Sequence, residues 1–72
     1  MLERDLRDFK CPQQFIQFKL ALREAVKTAQ AIKFTFLAHQ STQDIERFLQ
    51  KNHYPYKLEQ QHGLLIVELN RV

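Results

Sequence analysis

The spacing of apolar residues changes part-way along this 72-residue chain, and the change limits the folds open to it. From Pro12 to about Ala29, apolar side chains recur at intervals of three and four, as on one face of a helix. From Ile32 the run IKFTFL alternates instead, which is typical of a half-buried strand. The sequence therefore predicts a mixed α/β fold. The apolar residues of the predicted helix are Phe15, Phe18, Leu22, Ala25, Val26 and Ala29.

A second, shorter helix is predicted after this strand. Ser41, with Asp44 three residues later, resembles a capping box in which aspartate replaces glutamate. A short apolar stripe follows and fades at Asn52. Its members are Ile45, Phe48 and Leu49.

The C-terminal part of the sequence predicts a hairpin. Tyr54, Tyr56 and Leu58 alternate with polar or turn residues, and QHG separates them from the apolar run LLIVEL. Gly63, the only glycine, falls where a hairpin needs positive φ. Residues Leu2 to Leu6 predict one further short strand.

The predicted order is β-α-β-α-β-β, in one domain over residues 1–72. Two helices cover one face of a four-stranded sheet better than both faces, so we expect a two-layer α/β sandwich with a mixed sheet and both helices on one side. The predicted core consists of Phe15, Phe18, Leu22, Phe34, Phe36, Ile45, Phe48 and Ile66, with Leu58 and Leu64 in part.

The amino-acid composition bears on the cellular compartment and on the class of function that we expect. A single cysteine forms no internal disulfide, and the charged start lacks the apolar run of a signal peptide. No stretch approaches the length of a membrane span, so we expect a cytoplasmic protein without membrane contact. The net charge of +3 comes without a Lys/Arg block, so direct nucleic-acid binding is not indicated.

Cys11 is placed by the sequence at the start of the first helix, directly before Pro12, which suits a first helical turn. Helix N-terminal N–H groups favour the thiolate, and Lys10 and Arg7 add positive charge. The pattern therefore predicts a reactive sulfur nucleophile. The alternative is a small buried hydrophobe, which is common for a lone cysteine.

The chain resembles the TusA/SirA family of small sulfur-carrier proteins over essentially its whole length. The likeness implies a two-layer α/β sandwich in which Cys11 carries sulfane sulfur as a persulfide. The residues on which this resemblance rests are Asp5, Arg7, Phe9, Cys11-Pro12, Lys19-Leu20-Ala21-Leu22, Asp44-Ile45 and Phe48. We expect Asp5, Arg7, Lys10 and Pro12 to support the cysteine.

Some positions depart from the family motif. Gln14 stands where the family has a second proline, which predicts a less rigid loop before it. Asp8 stands where the family has a turn glycine, and its charge would oppose thiolate formation. Further departures are Arg4 in place of a leucine and Leu37, Ala38 and His39 in place of the usual Asp-Pro.

Lys19, Arg23 and Lys27 are spaced four residues apart and form one basic stripe on the first predicted helix. The stripe is either a solvated face or a docking surface for an acidic partner. The three histidines show no zinc-ligand spacing with Cys11, and we expect no metal site. They are His39, His53 and His62.

Two functions follow from this reasoning. In the first, Cys11 takes sulfur from a donor protein such as a cysteine desulfurase, holds it as a persulfide and passes it to an acceptor protein, with no cofactor. In the second, the chain is a non-catalytic regulatory or protein-binding module of the same fold, consistent with Asp8 and Gln14.

Overall fold

The computed structural model describes residues 1–10 and 12–69 and contains two helices and four strands in the predicted order. Each strand is four residues long, and the first helix is nearly twice as long as the second. The elements are β1 (Leu2–Asp5), α1 (Gln13–Thr28), β2 (Ile32–Thr35), α2 (Gln43–Lys51), β3 (Tyr56–Glu59) and β4 (Leu64–Val67).

The four strands form one mixed sheet in the order β1-β2-β4-β3. β1 runs parallel to β2, so α1 is the crossover between them. β4 runs antiparallel to both of its neighbours, β2 and β3. In this register Asp5, Thr35 and Leu64 lie at one end of the sheet, and Leu2, Ile32 and Val67 lie at the other.

Both helices pack on the same face of the sheet, which confirms the two-layer sandwich. The buried strand residues alternate, and those that pair across β2 and β4 contact the helices from one side. Three aromatic rings form the middle of this layer: Phe18 lies 4.8 Å from Phe34 and 6.0 Å from Phe48 between ring centroids. The buried core consists of Leu6, Phe18, Ala21, Leu22, Ala25, Ile32, Phe34, Phe36, Ile45, Leu49, Leu65 and Val67.

The predicted place of Ile66 in the core is wrong, and Leu64, predicted to contribute in part, is half-buried but on the other face. Ile66 pairs with Lys33 and Leu64 pairs with Thr35, so both share the open face of the sheet with polar residues. Leu65 and Val67 point into the core instead. All four residues of β4 are apolar, so the sequence contains no alternation that would distinguish its two faces.

Helix α1 begins one residue later than predicted and ends one residue earlier. Ala29 follows it with a left-handed φ of 54°, and the N–H of Gln30 donates to the Ala25 carbonyl at 3.0 Å. This turn leaves Ala29 exposed, and Val26 is 43% exposed, so neither belongs to the core. Among the described residues, no helix is long and apolar enough to cross a membrane.

The start of α2 differs from the predicted capping box. Its N-cap is Thr42 rather than Ser41, and no side chain caps the helix by a hydrogen bond. Thr42 is buried, and its hydroxyl donates to Glu46 Oε2 at 3.4 Å, while Ser41 is exposed. Asp44 and Glu46 in the first turn favour this helix end through their charge.

Gly63 has the positive φ that the hairpin prediction requires, at 63°. It also packs closely against the end of β2, where the Phe36 N–H donates to the Gly63 carbonyl at 2.7 Å. A Cβ at this position would clash with the Phe36 carbonyl oxygen and lie 2.9 Å from its carbon. Both the backbone angle and the lack of space therefore require glycine here.

Candidate functional site

Cys11, the predicted nucleophile, lies outside the described residues, but the chain on both sides of it is described. The Gln14 N–H donates to the Lys10 carbonyl at 2.8 Å, and the Ile16 N–H donates to the Pro12 carbonyl at 3.2 Å. Lys10 and Pro12 are both exposed. The residues that flank Cys11 are thus joined to the start of α1 by backbone hydrogen bonds.

Asp5 and Arg7 form an ion pair where β1 ends. Arg7 Nη2 donates to Asp5 Oδ2 at 2.7 Å, and Arg7 Nε donates to Oδ1 at 2.9 Å. The Arg7 backbone N–H also donates to Oδ1 at 3.0 Å, which closes a local turn. The carboxylate therefore offsets the positive charge that the sequence assigned to Arg7.

The hydrogen bonds and charge of Arg7 lower the pKa of Asp5 to about 2. Because this pKa is below that of an unfolded aspartate, the contact stabilises the fold above about pH 4 and is lost as the pH falls through about 2. We expect the Asp5 carboxyl signal to titrate near pH 2 in an NMR experiment and near its ordinary value in Arg7→Ala. A wild-type midpoint near about 4 would contradict the ion pair.

Asp8 does not adopt the left-handed backbone that a turn glycine would supply. Positive φ values in the described residues occur at Ala29, His39, His53 and Gly63 only. Aspartate at position 8 therefore carries no backbone strain of this kind. Its charge raises the pKa of Arg7, after the larger effects of the Asp5 hydrogen bond and charge.

Gln14, three residues after Cys11, makes buried contacts that the sequence reasoning missed. Its side chain is 6% exposed and lies in the first turn of α1. Nε2 donates to the Leu6 carbonyl at 3.0 Å and to the Phe9 carbonyl at 3.4 Å. A usable signal was present: Gln14 precedes Phe18 by four residues, which places a polar side chain on the apolar face of the helix.

The other end of the Gln14 amide contacts Gln40, in the loop between β2 and α2. Gln40 Nε2 donates to Gln14 Oε1 at 2.9 Å, and Gln40 Oε1 accepts from the Leu37 N–H at 3.2 Å. Two loops that are far apart in sequence are therefore joined by two amide side chains. No buried side-chain polar atom among residues 1–10 and 12–69 lacks a hydrogen-bond partner.

The basic stripe lies exposed on α1, as predicted for either of its two roles. Lys19 Nζ is 5.0 Å from the centroid of the Phe15 ring, a cation–π contact. Lys19 and Arg23 also border a groove between the helices, and in the described part of the chain neither they nor Lys27 form an ion pair. The groove has apolar walls made of Leu22, Val26, Phe48 and Tyr54.

The three histidines lie exposed in loops. His39 and His53 adopt positive φ, and His62 contacts Glu59 at 3.1 Å between Nδ1 and Oε2. In the described ranges, no three His, Cys, Asp or Glu side chains are grouped so that they could hold a metal ion. The histidines are therefore surface residues.

Comparison with known proteins places the chain in a family. The family model for sulfurtransferase TusA matches residues 3–71, nearly the whole chain. No curated protein and no solved structure gives a match. The matched span includes both helices, β2 to β4, all of β1 except Leu2, and Cys11 with its flanking residues. The chain belongs to the sulfurtransferase TusA family, and a sulfur-carrier role follows in general terms from that membership.

Proposed function

We propose that this protein carries sulfane sulfur as a persulfide on Cys11 and relays it from a donor protein to an acceptor protein. The observation that carries the proposal is the family match over residues 3–71 together with the cysteine count. Cys11 is the only cysteine in the chain, so a persulfide has no other residue on which to form.

The transfer is a thiol exchange in which sulfur moves without net oxidation. The Cys11 thiolate attacks the terminal sulfur of a donor Cys–S–SH group, and a new S–S bond forms on Cys11. The donor's own S–S bond breaks, and its cysteine sulfur leaves with the electron pair as a thiolate. The proton stays on the transferred sulfur, and the same exchange with an acceptor thiolate discharges the carrier.

Residues near Cys11 support this chemistry in two ways: by their charge and by fixing the backbone around the cysteine. Lys10 directly precedes the cysteine, is exposed and forms no ion pair within the described residues. Pro12 holds the position before α1, with φ of −90°. Asp5 and Arg7 brace the turn after β1, so their support is structural, since their charges offset each other.

The direct test is the intact mass of the protein after incubation with a cysteine desulfurase and cysteine. We expect a gain of one sulfur atom that is removed by a reducing agent. A folded protein that never gains sulfur would overturn the carrier proposal.

We further propose that Lys19, Arg23 and Lys27 form the docking surface for an acidic protein partner. The three cations lie on the solvent side of α1, and two of them border an apolar groove. Cations that form no ion pair with the described residues, set beside apolar walls, suit a partner segment that combines carboxylates with apolar side chains.

Reversing two of these charges should weaken the docking. We expect Lys19→Glu with Arg23→Glu to slow association with the sulfur donor by about tenfold at low salt and to reduce its salt dependence. Association rates measured by stopped-flow or biosensor methods over a series of salt concentrations would show this.

A matched control is available on the opposite side of the sheet. Lys33 and Lys57 both pair with Ile66 in the register and so share the open face. Each reversal changes the charge by two, so either double variant has a net charge of −1 in place of +3. Equal slowing in both double variants would show that net charge, and not the stripe, governs association.

A further inference from the structure

We propose that Gln14 is a positioning residue, whose amide group, together with that of Gln40, holds residues 6–10 against α1 and thereby sets the reactivity of Cys11. This inference rests on the proposed role of Cys11 as the sulfur-bearing residue. It extends that proposal from the nucleophile to the side chains that orient the chain on either side of it.

The directions of the hydrogen bonds make the contact specific to an amide. The carbonyls of Leu6 and Phe9 are acceptors only, so they require the NH₂ end of Gln14. Its oxygen then faces Gln40, whose own NH₂ donates to it while the Gln40 oxygen accepts from Leu37. A carboxylate at position 14 could not donate to the two carbonyls. An apolar side chain would remove this donor from the Phe9 carbonyl and leave the Leu6 carbonyl with the Phe9 N–H alone.

The positions of the partners connect the network to the cysteine. Leu6 and Phe9 lie on the chain just before Cys11, and Gln14 lies just after it. Leu6 is itself buried, and its N–H donates to the Thr35 carbonyl at 2.8 Å, so one end of this segment is anchored to the sheet. The Gln14 amide anchors the same segment to α1, and a second anchor of this kind limits how far Lys10 can move.

Every group in the network is neutral at ordinary pH, since amide side chains and backbone groups do not titrate there. A change in the pH dependence of thiol chemistry on removal of Gln14 therefore reports on the surroundings of Cys11. It does not report on titration of the network itself.

The test measures the rate of iodoacetamide alkylation of Cys11 as a function of pH in Gln14→Met and Gln40→Met. For Gln14→Met we expect a folded protein whose alkylation midpoint lies at higher pH, with a rate at pH 7 at least about threefold below that of the wild type. Gln40→Met keeps the bonds to Leu6 and Phe9, so we expect a smaller change in the same direction.

A destabilised variant with an intact network serves as the control. Val67→Ala removes buried apolar atoms at the end of the sheet opposite Asp5, so it should lower stability without a change in the alkylation profile. A wild-type profile in folded Gln14→Met, or an equal change in Val67→Ala, would overturn the inference. If Gln14→Met does not fold, a wild-type alkylation profile in Gln40→Met would overturn the inference.

The alkylation assay needs no sulfur donor. Failure of wild-type protein to accept sulfur would therefore count against the proposed function alone, while the profile of Gln14→Met decides the positioning role.

Discussion

Cys11→Ser should abolish sulfur acceptance completely. A serine oxygen does not form the S–S bond of a persulfide, and the chain has no second cysteine to replace the lost thiol. We expect no sulfur gain in the intact mass after incubation with donor and cysteine, and no delivery to an acceptor protein. The circular dichroism spectrum should match that of the wild type, so that the loss is chemical.

The reactivity of Cys11 in wild-type protein separates the two functions considered for this chain. A thiol before a helix and beside Lys10 should react with iodoacetamide faster at neutral pH than a free-cysteine model compound. A reactive Cys11 that accepts sulfur supports the carrier, and a reactive Cys11 that never does supports the regulatory module. A cysteine that reacts only after denaturant is added would contradict both.

Phe34→Ala should cost about 3 to 5 kcal/mol of the free energy of unfolding. Phe34 is fully buried at the centre of the sheet, and its ring contacts Phe18 at 4.8 Å and Phe36 at 6.3 Å between centroids. A small domain has only about 5 to 15 kcal/mol of stability in total, so the variant should lose a large part of it. Urea denaturation followed by circular dichroism measures this cost.

Phe48→Ala is the matched comparison, because it removes the same atoms from a half-buried site. Phe48 packs edge-on against Phe15 and Phe18 but also forms part of the groove beside Lys19. We expect a smaller loss of stability than for Phe34→Ala, since less apolar surface is removed from the core. Wild-type stability in Phe34→Ala, or a larger cost in Phe48→Ala, would show that this core assignment is wrong.

Much of the fold was predictable because its signals are local. The change of apolar spacing between Ala29 and Ile32 separates α1 from β2, and the single glycine identifies the hairpin turn. The helix boundaries were within about a residue or two because breaks in periodicity are visible in the sequence. The face of β4 was not predictable, since an all-apolar strand reads the same from either side.

For the candidate site too, local features were predictable from the sequence and contacts that depend on the fold were not. The position of Cys11 between a strand and a helix, and the spacing of Lys19, Arg23 and Lys27, depend on neighbours along the chain and were predicted from it. The pairing of Arg7 with Asp5 was not predicted, although the two residues are close in sequence. It depends on the turn that follows β1.

By itself, the sequence determined the order of elements, the lone cysteine before α1 and the positive φ of Gly63. The apolar periodicity, the number of cysteines and the backbone angle that a glycine turn needs are properties of the chain or of short segments of it. They can therefore be read without knowledge of the tertiary structure. The tertiary structure alone decided that Gln14 meets Gln40, which lies 26 residues away, and that Leu65 rather than Ile66 enters the core. These contacts depend on the register between β2 and β4 and on how α1 packs across the sheet, because only packing brings distant residues within hydrogen-bond distance.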